Sequence, residues 1–377
     1  MTGAQHRPSM VLIGPTPPPH HGMTTATAAL LGSPRLNGAY TVLHLDNADR
    51  RSQDNMGRLD TRNVVLGLRH AGTLARLLLR HRPDLVYLPV SQNRWAYVRD
   101  AVFMTLCRLA GVRVLTHLNG GGFRAFYEET DPVTRWVVRR TSRWLGGAAV
   151  LGEGLRPLYR GLVPQARTHV IPNGIPDPFP EGPPERADRR RVRITYLGTL
   201  IRSKGFPDLL RVAGRLRDEE VAASFVFAGA WNSDGERAEG LGLVEELGLE
   251  DRVEFIGVVA GGEKRRVLAE ADVFVLPTSY PPEGQPFAIL EAMAAGLPVV
   301  STPRGAIPDM VEHGVTGLLV PEGDAGALAA ALRRLIESPS ERAAMGEAGR
   351  ARFLGGFTED AMTNRLVEVM DEIRRTT

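Results

Sequence analysis

Short apolar runs rich in branched side chains alternate with longer amphipathic stretches along the chain of 377 residues. In the first half these runs predict strands at Met10–Gly14, Thr41–Leu45, Leu85–Pro89, Val112–Thr116, Ala148–Leu151 and His169–Ile171. In the second half they predict strands at Val192–Leu197, Ser224–Ala228, Val253–Ile256, Asp272–Leu276, Pro298–Ser301 and Gly317–Val320. Buried strands that alternate with helical stretches are typical of parallel βαβ units. The sequence therefore predicts an α/β protein with two doubly wound, Rossmann-like domains.

A segment rich in proline, glycine and charge separates the two series. Such a composition is typical of a linker. We expect an N-terminal domain over residues 1–178, a linker over 179–191, a C-terminal domain over 192–355 and a final helix over 356–377. Ligands of open α/β sheets bind beyond the carboxyl ends of the strands. Two such sheets, facing each other, would place the site in the cleft between them and would close on it when a ligand binds.

The most informative segment follows the predicted strand at Asp272–Leu276. Glu283 lies in the loop after this strand, and Glu291 lies about a turn and a half into the helix that the next residues predict. Pro286 suits the first turn of that helix, and Gly296 marks its end. The free N–H groups of a first helical turn favour an anion. We therefore expect a diphosphate near residues 286–289.

The string Glu283-Gly-Gln-Pro-Phe-Ala-Ile-Leu-Glu291 resembles the E-x7-E signature of retaining glycosyltransferase family 4, whose members have the GT-B fold. The resemblance implies that Glu283 meets the donor sugar and that Glu291 meets the ribose hydroxyls. Gln285, Pro286 and Phe287 stand where the family commonly has Gly-Phe-Gly, and they are expected to bind the donor. The resemblance also implies that the final helix, with its spacing of Met362, Leu366, Val369 and Ile373, crosses back to the first domain.

A second motif follows the strand at Val192–Leu197. Arg202 and Lys204 are two cations at its carboxyl edge, where positive charge can neutralise a leaving diphosphate. The family has Lys-Gly here, so the resemblance gives Lys204 this role. Thr199 stands where many relatives carry arginine, and we expect Arg202 to take over that charge while Thr199 lies against the donor.

Three further loops resemble parts of the family's site. Gly22 would let the backbone approach a ligand near the start of a helix expected at Thr24. His117, at a strand end beside three glycines, is expected to be exposed and to contact the donor sugar. Gly257 and Val258 match the loop that brackets the nucleotide base. The acceptor would be met by His20, His21 and Arg124. Two exposed loop histidines without a function are the favoured alternative for the first two, and a surface arginine describes Arg124 equally well.

The amino-acid composition excludes some classes of function and favours others. Residues 1–178 hold 22 arginines, no lysine and 11 acidic residues, whereas the remainder is acidic, so that the net charge of +3 conceals two unlike halves. No helix-turn-helix or zinc-finger motif accompanies the basic half, which excludes common nucleic-acid modules. A membrane surface or a phosphorylated acceptor fits better, with Arg50, Arg51, Arg58, Arg62, Arg69, Arg76, Arg80 and Arg82 as the expected contacts. The alternative is that the arginines are distributed over all faces of the protein and reflect a general preference for Arg over Lys.

One cysteine, Cys107, excludes an internal disulfide and a cysteine-based zinc site. The apolar run at Met10–Gly14 is too short for the core of a secretory signal. We therefore expect a cytoplasmic protein that acts at the inner membrane face.

We predict a retaining, metal-independent glycosyltransferase without a cofactor, which moves a sugar from a UDP- or GDP-sugar to a hydroxyl of a glycan or of a lipid-linked acceptor. No Asp-x-Asp motif is present, as expected for metal independence. A sugar-nucleotide epimerase or a phosphorylase of the same fold, and a regulator that binds sugar nucleotides without turnover, remain alternatives.

Overall fold

The computed structural model describes residues 7–18, 22–48, 61–186 and 189–376. The chain divides into two compact units, Met1–Gly174 with Glu359–Thr377 and Ile175–Thr358. The described part of the expected linker, residues 179–186 and 189–191, belongs to the second unit. Each unit has its own sheet and its own core of buried apolar side chains.

The first unit contains six parallel strands: β1 (Ser9–Ile13), β2 (Thr41–Leu45), β3 (Leu85–Pro89), β4 (Arg113–Leu118), β5 (Gly147–Val150) and β6 (Thr168–Val170). They pair in the order β2-β1-β3-β4-β5-β6, so the direction of strand addition reverses between β1 and β3. All four residues of β5 are buried, as expected for a strand covered on both faces.

Helices cover this sheet: α1 (Gly22–Gly32), α2 (Pro34–Ala39), α3 (Thr61–His81), α4 (Arg94–Leu109), α5 (Phe123–Glu129) and α6 (Pro132–Ser142). Helix α1 begins at Gly22, two residues before the expected start at Thr24. Helix α4 packs against both α3 and α6. Short 3-10 helices follow at Glu153–Tyr159 and Gln165–Arg167.

The final helix of the chain, Glu359–Arg375, packs in the first unit, as the resemblance implied. Its predicted apolar face is buried: Met362, Leu366 and Ile373 join the core of the first unit. Gly147 of β5 makes room for it, since a Cβ there would lie 2.6 Å from Cδ1 of Ile373. The contact explains why a glycine opens a strand that is otherwise made of Ala and Val.

The second unit also has six parallel strands: β7 (Val192–Leu197), β8 (Ala223–Ala228), β9 (Val253–Gly257), β10 (Val273–Leu276), β11 (Val299–Ser301) and β12 (Gly317–Leu319). Their order is β12-β11-β10-β7-β8-β9. The chain therefore builds one half of the sheet outward from β7, and then returns to the other side of β7 to build the second half from β10. Ligands of doubly wound sheets bind at such a reversal.

The helices of the second unit are α7 (Phe206–Asp218), α8 (Asp234–Glu246), α9 (Gly261–Ala269), α10 (Phe287–Ala294), α11 (Ile307–Met310), α12 (Ala325–Glu337) and α13 (Pro339–Gly356), which makes the final helix α14. A 3-10 turn at Arg202–Lys204 precedes α7. The fold class expected from the sequence is confirmed in both units, and the twelve predicted strands differ from those of the described residues by at most two residues at either end.

Candidate functional site

The loops after β7 and β10 meet at the reversal of the second sheet. Gly205 ends the 3-10 turn with φ +82°, and a Cβ at this position would lie 2.2 Å from the carbonyl oxygen of Pro277. The N–H of Ser279 donates a hydrogen bond of 2.7 Å to the carbonyl oxygen of Ser203. Only glycine accepts both this φ and this close approach. The two loops are therefore joined, and each fixes the position of the other.

Lys204 and Glu283 pair across these joined loops. The Nζ of Lys204 lies 3.4 Å from Oε2 of Glu283, and the hydroxyl of Thr278 donates to the same oxygen over 3.2 Å. The ammonium also lies 5.4 Å from the ring centroid of Tyr280. Glu283 is buried, with 7% of its surface exposed, which is more than its place in a loop suggested. Buried charged groups are stabilised by such pairing and hydrogen bonding.

The loop that carries Glu283 rests on Gly305, a residue that the sequence analysis missed. Gly305 has φ +58°, and a Cβ there would lie 2.4 Å from the carbonyl oxygen of Glu283. The N–H of Ala306 donates to the carbonyl oxygen of Gly284 over 2.8 Å. In the sequence, Gly305 is a glycine a few residues after a predicted strand. The same pattern is typical of an ordinary turn, so it does not indicate a functional site.

Helix α10 begins directly after this loop. Its N-cap residue, Pro286, provides no side-chain hydrogen bond to the first turn. The N–H of Ile289 donates to the carbonyl oxygen of Pro286 over 3.1 Å, so the N–H groups of Phe287 and Ala288 are the ones available to an anion. Gln285 and Pro286 are buried, and Phe287 is half-buried. Gly296, with φ +67°, follows the end of the helix, as predicted. The first turn of α10, where the diphosphate is expected, thus begins four residues after Glu283 in the chain.

Glu291 lies further along α10 and pairs with Lys264 of α9. Nζ of Lys264 donates a hydrogen bond to Oε1 of Glu291, whose side chain is 16% exposed. Burial raises the pKa of Glu291, and the ammonium of Lys264 opposes this increase. Lys264 was not among the predicted site residues. The sequence feature that could have identified it is the rarity of lysine, because Lys204 and Lys264 are the two lysines among the 46 lysine and arginine residues.

The other residues expected near the donor do not join the Lys204–Glu283 pair. Arg202 is largely exposed and its guanidinium lies 2.7 Å from Oε1 of Glu239 on α8. Thr199 is exposed, and its carbonyl oxygen accepts a hydrogen bond of 2.9 Å from the hydroxyl of Tyr196. Gly257 has φ +73° at the end of β9, and the side chain of Val258 is 71% exposed.

His117 of the first unit lies in β4 and is 2% exposed, so the expectation of an exposed side chain was wrong. The reason is that the strand extends through His117 to Leu118 and is covered on both faces. The hydroxyl of Tyr87 lies 2.7 Å from Nδ1 of His117. Burial lowers the pKa of His117 to about 4, so the imidazole is neutral at physiological pH.

The remaining predicted contacts lie elsewhere in the first unit. Gly22 is the exposed first residue of α1. The guanidinium of Arg124 lies 2.6 Å from Oε1 of Glu128 and donates to the carbonyl oxygen of Arg160 over 3.0 Å, so an acceptor phosphate would compete with these partners. His20 and His21 lie outside the described residues. Within the described ranges, no group of three or more His, Cys, Asp or Glu side chains is arranged to hold a metal ion.

Comparison with known proteins assigns the family. The model for glycosyl transferases group 1 matches residues 183–352. Over 288 residues the chain is 30% identical to the GDP-mannose-dependent alpha-(1-6)-phosphatidylinositol monomannoside mannosyltransferase of Mycobacterium tuberculosis, and the match covers 72% of each chain. The chain belongs to the glycosyl transferases group 1 family. The chain is also 32% identical over 186 residues to the amylovoran biosynthesis glycosyltransferase AmsK of Erwinia amylovora, a match that spans 45% of that relative.

Solved structures support the fold of this chain. Anabaena HepE in complex with UDP aligns with a TM-score of 0.73 at 18% identity, over 97% of this chain and 100% of that one. The sucrose-phosphate synthase of Thermosynechococcus elongatus aligns with a TM-score of 0.75 at 20% identity, over 98% of this chain and 100% of that one. The fold is therefore GT-B. Within the described ranges, none of the helices combines the length and the apolar character that crossing a bilayer requires.

Proposed function

We propose that this glycosyltransferase moves a sugar, with retention of anomeric configuration, from a UDP- or GDP-sugar to a hydroxyl of a glycan or of a lipid-linked acceptor. The observation that carries the proposal is the Lys204–Glu283 pair, which lies at the reversal of the second sheet beside the uncapped first turn of α10. A cation, a buried carboxylate and free helix N–H groups are the elements that a nucleotide diphosphate sugar requires.

The chemistry follows from charge. When the bond between the sugar and the diphosphate breaks, negative charge grows on the phosphate and positive character grows on the sugar ring. Lys204 and the first turn of α10 would stabilise the phosphate, and the carboxylate of Glu283 would lie against the sugar. Arg202 would stabilise the phosphate only if its guanidinium left Glu239 and paired with the phosphate instead. Because these groups can carry the leaving charge, we propose that catalysis proceeds without a metal ion and without a cofactor.

The proposed classes of donor and acceptor are taken from the names of the related proteins. The Mycobacterium tuberculosis relative is named as GDP-mannose-dependent and as acting on a phosphatidylinositol mannoside, and one Anabaena HepE structure holds UDP-glucose. AmsK is named for amylovoran biosynthesis. We therefore propose a UDP- or GDP-sugar donor and a glycan or lipid-linked acceptor.

A panel of UDP- and GDP-sugars, incubated with simple glycosides and lipid-linked sugars, tests the proposal. Transfer is expected with one donor, and NMR of the product should show the anomeric configuration of that donor. An inverted product would contradict retention. Epimerised donor without a glycoside would favour the epimerase, and binding without any product would favour a regulator.

We also propose that the first unit docks on an anionic membrane surface. Fourteen large apolar side chains are exposed in the described residues, and ten of these lie on the neighbouring helices α3, α4 and α6. They are Val64, Val65, Leu68, Leu79, Trp95, Val98, Val102, Leu109, Val133 and Trp136. We call these ten residues the outer helical patch.

Arginines accompany this patch on α3, where Arg62, Arg69, Arg76 and Arg80 are exposed. Apolar side chains flanked by cations fit a bilayer that carries negative headgroups. Arg82 is exposed just after α3, whereas Arg50, Arg51 and Arg58 lie outside the described residues. A lipid-linked acceptor would be presented at such a surface.

A further inference from the structure

The two lysines of the chain pair with the two glutamates of the E-x7-E string. Lys204 lies against Glu283, and Lys264 lies against Glu291. All other basic side chains, apart from histidine, are arginines, 44 in number. Lysine and arginine are not interchangeable, because a guanidinium tends to cover both oxygens of a carboxylate, whereas an ammonium meets one of them as a point charge. The choice of lysine therefore leaves part of each carboxylate open.

The geometry at Glu291 follows this rule. Nζ of Lys264 contacts Oε1 of Glu291, and no described residue donates a hydrogen bond to Oε2. The side chain of Lys264 is 33% exposed and that of Glu291 is 16% exposed. One oxygen is thus fixed from α9, and the other remains able to accept hydrogen bonds from a bound molecule.

We propose that Lys264 is a positioning residue that holds Glu291 as an oriented carboxylate, so that its second oxygen can accept hydrogen bonds from the ribose hydroxyls of a nucleoside diphosphate. This inference rests on the proposed function, which places a nucleotide sugar at α10. It adds a residue of α9 to the site, and it makes nucleotide affinity depend on a charge that does not itself touch the nucleotide.

Electrostatics supports this role. Burial raises the pKa of Glu291, and within the described residues Lys264 is the one charged group that acts against this change. Arg350 of α13 donates to the carbonyl oxygen of Ala294 at the end of α10 and is paired with Asp177. Arg186 donates to the carbonyl oxygens of Ala295 and Gly296 just beyond it. Asp272, ahead of β10, accepts the N–H of Arg193. Strand β11 carries no charged residue. Without Lys264, the carboxyl group of Glu291 would therefore protonate more readily, and a neutral carboxyl is a weaker acceptor.

The test measures binding of UDP and of GDP by calorimetry between pH 6 and pH 9. We expect Lys264→Met to weaken binding of the cognate nucleotide about 10-fold or more near pH 6, since hydrogen bonds to charged groups are the strong ones. The loss should shrink as the pH rises and Glu291 ionises. Lys264→Arg keeps a counter-charge, so its affinity should lie between those of the wild type and Lys264→Met, and its ratio to the wild-type affinity should not change with pH. Arg266→Met, which removes an exposed cation from the same helix, is the matched control and should bind as the wild type does.

Glu291→Gln separates a positioning role from a general structural one. This variant should bind weakly at every pH, and adding Lys264→Met to it should cause little further loss, because both changes remove one interaction. If Lys264→Met weakens binding equally at all pH values, or adds its full effect to Glu291→Gln, the inference is wrong while the proposed function stands. If Glu291→Gln binds like the wild type, the ribose assignment fails and the role of Lys264 fails with it. A wild-type protein that binds neither nucleotide would overturn both.

Discussion

Nζ of Lys204 lies 3.4 Å from Oε2 of Glu283, although the two residues are 79 positions apart in the chain. One follows β7 and the other follows β10, and these are the two strands between which the order of the second sheet reverses. The pair is held by a shared loop contact at Gly205 and by the hydroxyl of Thr278. The two residues therefore form a preorganised unit of opposite charge at the place where doubly wound sheets bind their ligands.

We predict that Lys204→Met and Glu283→Gln each lower kcat by about 10²–10³, because each removes one preorganised charge from the reacting groups. Because the two residues act as a pair, the double variant should lose much less than the product of the two single losses. Arg211→Met, on the exposed face of α7, is the control and should turn over normally. Circular dichroism would verify folding, and a folded single variant with wild-type kcat would remove that residue from the mechanism.

Gly305→Ala should impair catalysis without touching any reacting group. A methyl group there would lie 2.4 Å from the carbonyl oxygen of Glu283, so the loop that carries Glu283 must move. We expect kcat/KM to fall at least about 10-fold, since small misplacements of reacting groups are costly. Gly323→Ala is a matched control, because Gly323 has φ +71° and no atom lies within 4 Å of the added methyl group. An equal loss of activity in the two variants would show that backbone strain, and not the position of Glu283, causes the effect. Wild-type activity in Gly305→Ala would contradict the prediction.

Activity should survive chelation. The leaving charge is assigned to Lys204 and to the first turn of α10, neither of which needs a divalent ion. Initial rates measured with and without EDTA, on protein first dialysed against the chelator, are expected to agree within about twofold. A rate that disappears in EDTA and returns with Mg²⁺ or Mn²⁺ would contradict metal independence.

His117 should make the protein less stable as the pH falls. Its pKa is about 4 in the folded protein, below the ordinary 6.5, so the unfolded chain binds a proton between these values while the folded chain does not. Stability therefore decreases as the pH drops from 6.5 towards 4, by roughly 3 kcal/mol in total. His117→Gln removes this contribution, and its melting temperature should fall less steeply with acid than that of the wild type. His81→Gln, at the exposed end of α3, controls for loss of a histidine. Parallel melting curves for His117→Gln and the wild type would rule out the assignment.

The outer helical patch should bind anionic vesicles. Replacing Trp95 and Trp136 by serine removes its two aromatic side chains, which are 40% and 64% exposed, and should abolish most sedimentation with vesicles that contain phosphatidylserine. Salt should release the wild type, because each arginine near the surface contributes about 1 kcal/mol that ionic strength screens. Leu241→Ser, an exposed apolar position on α8, should bind normally. Equal binding to neutral and anionic vesicles, or none at low salt, would refute this proposal.

The sequence by itself determined the fold class and the strand pattern. Three strands have the predicted bounds: Thr41–Leu45, Leu85–Pro89 and Val192–Leu197. A parallel strand covered by helices on both faces is a continuous apolar run, and such a run is visible in the sequence. Helix α10 was equally readable, since proline at its start and glycine after its end act locally on the backbone. Glu283 and Glu291 were found because their spacing is a property of the chain alone.

Only the tertiary structure decided which partners these residues have. Lys264 reaches Glu291 because α9 carries the chain from the edge strand β9 back to β10, a connection that no local pattern specifies. Arg202 instead pairs with Glu239, although its spacing from Lys204 suggested a shared role. His117 was expected to be exposed from its glycine-rich surroundings, but β4 extends past it and buries it. Local sequence sets backbone preferences within a few residues, whereas burial, charge pairing and the pKa values that follow from them depend on segments brought together from distant parts of the chain.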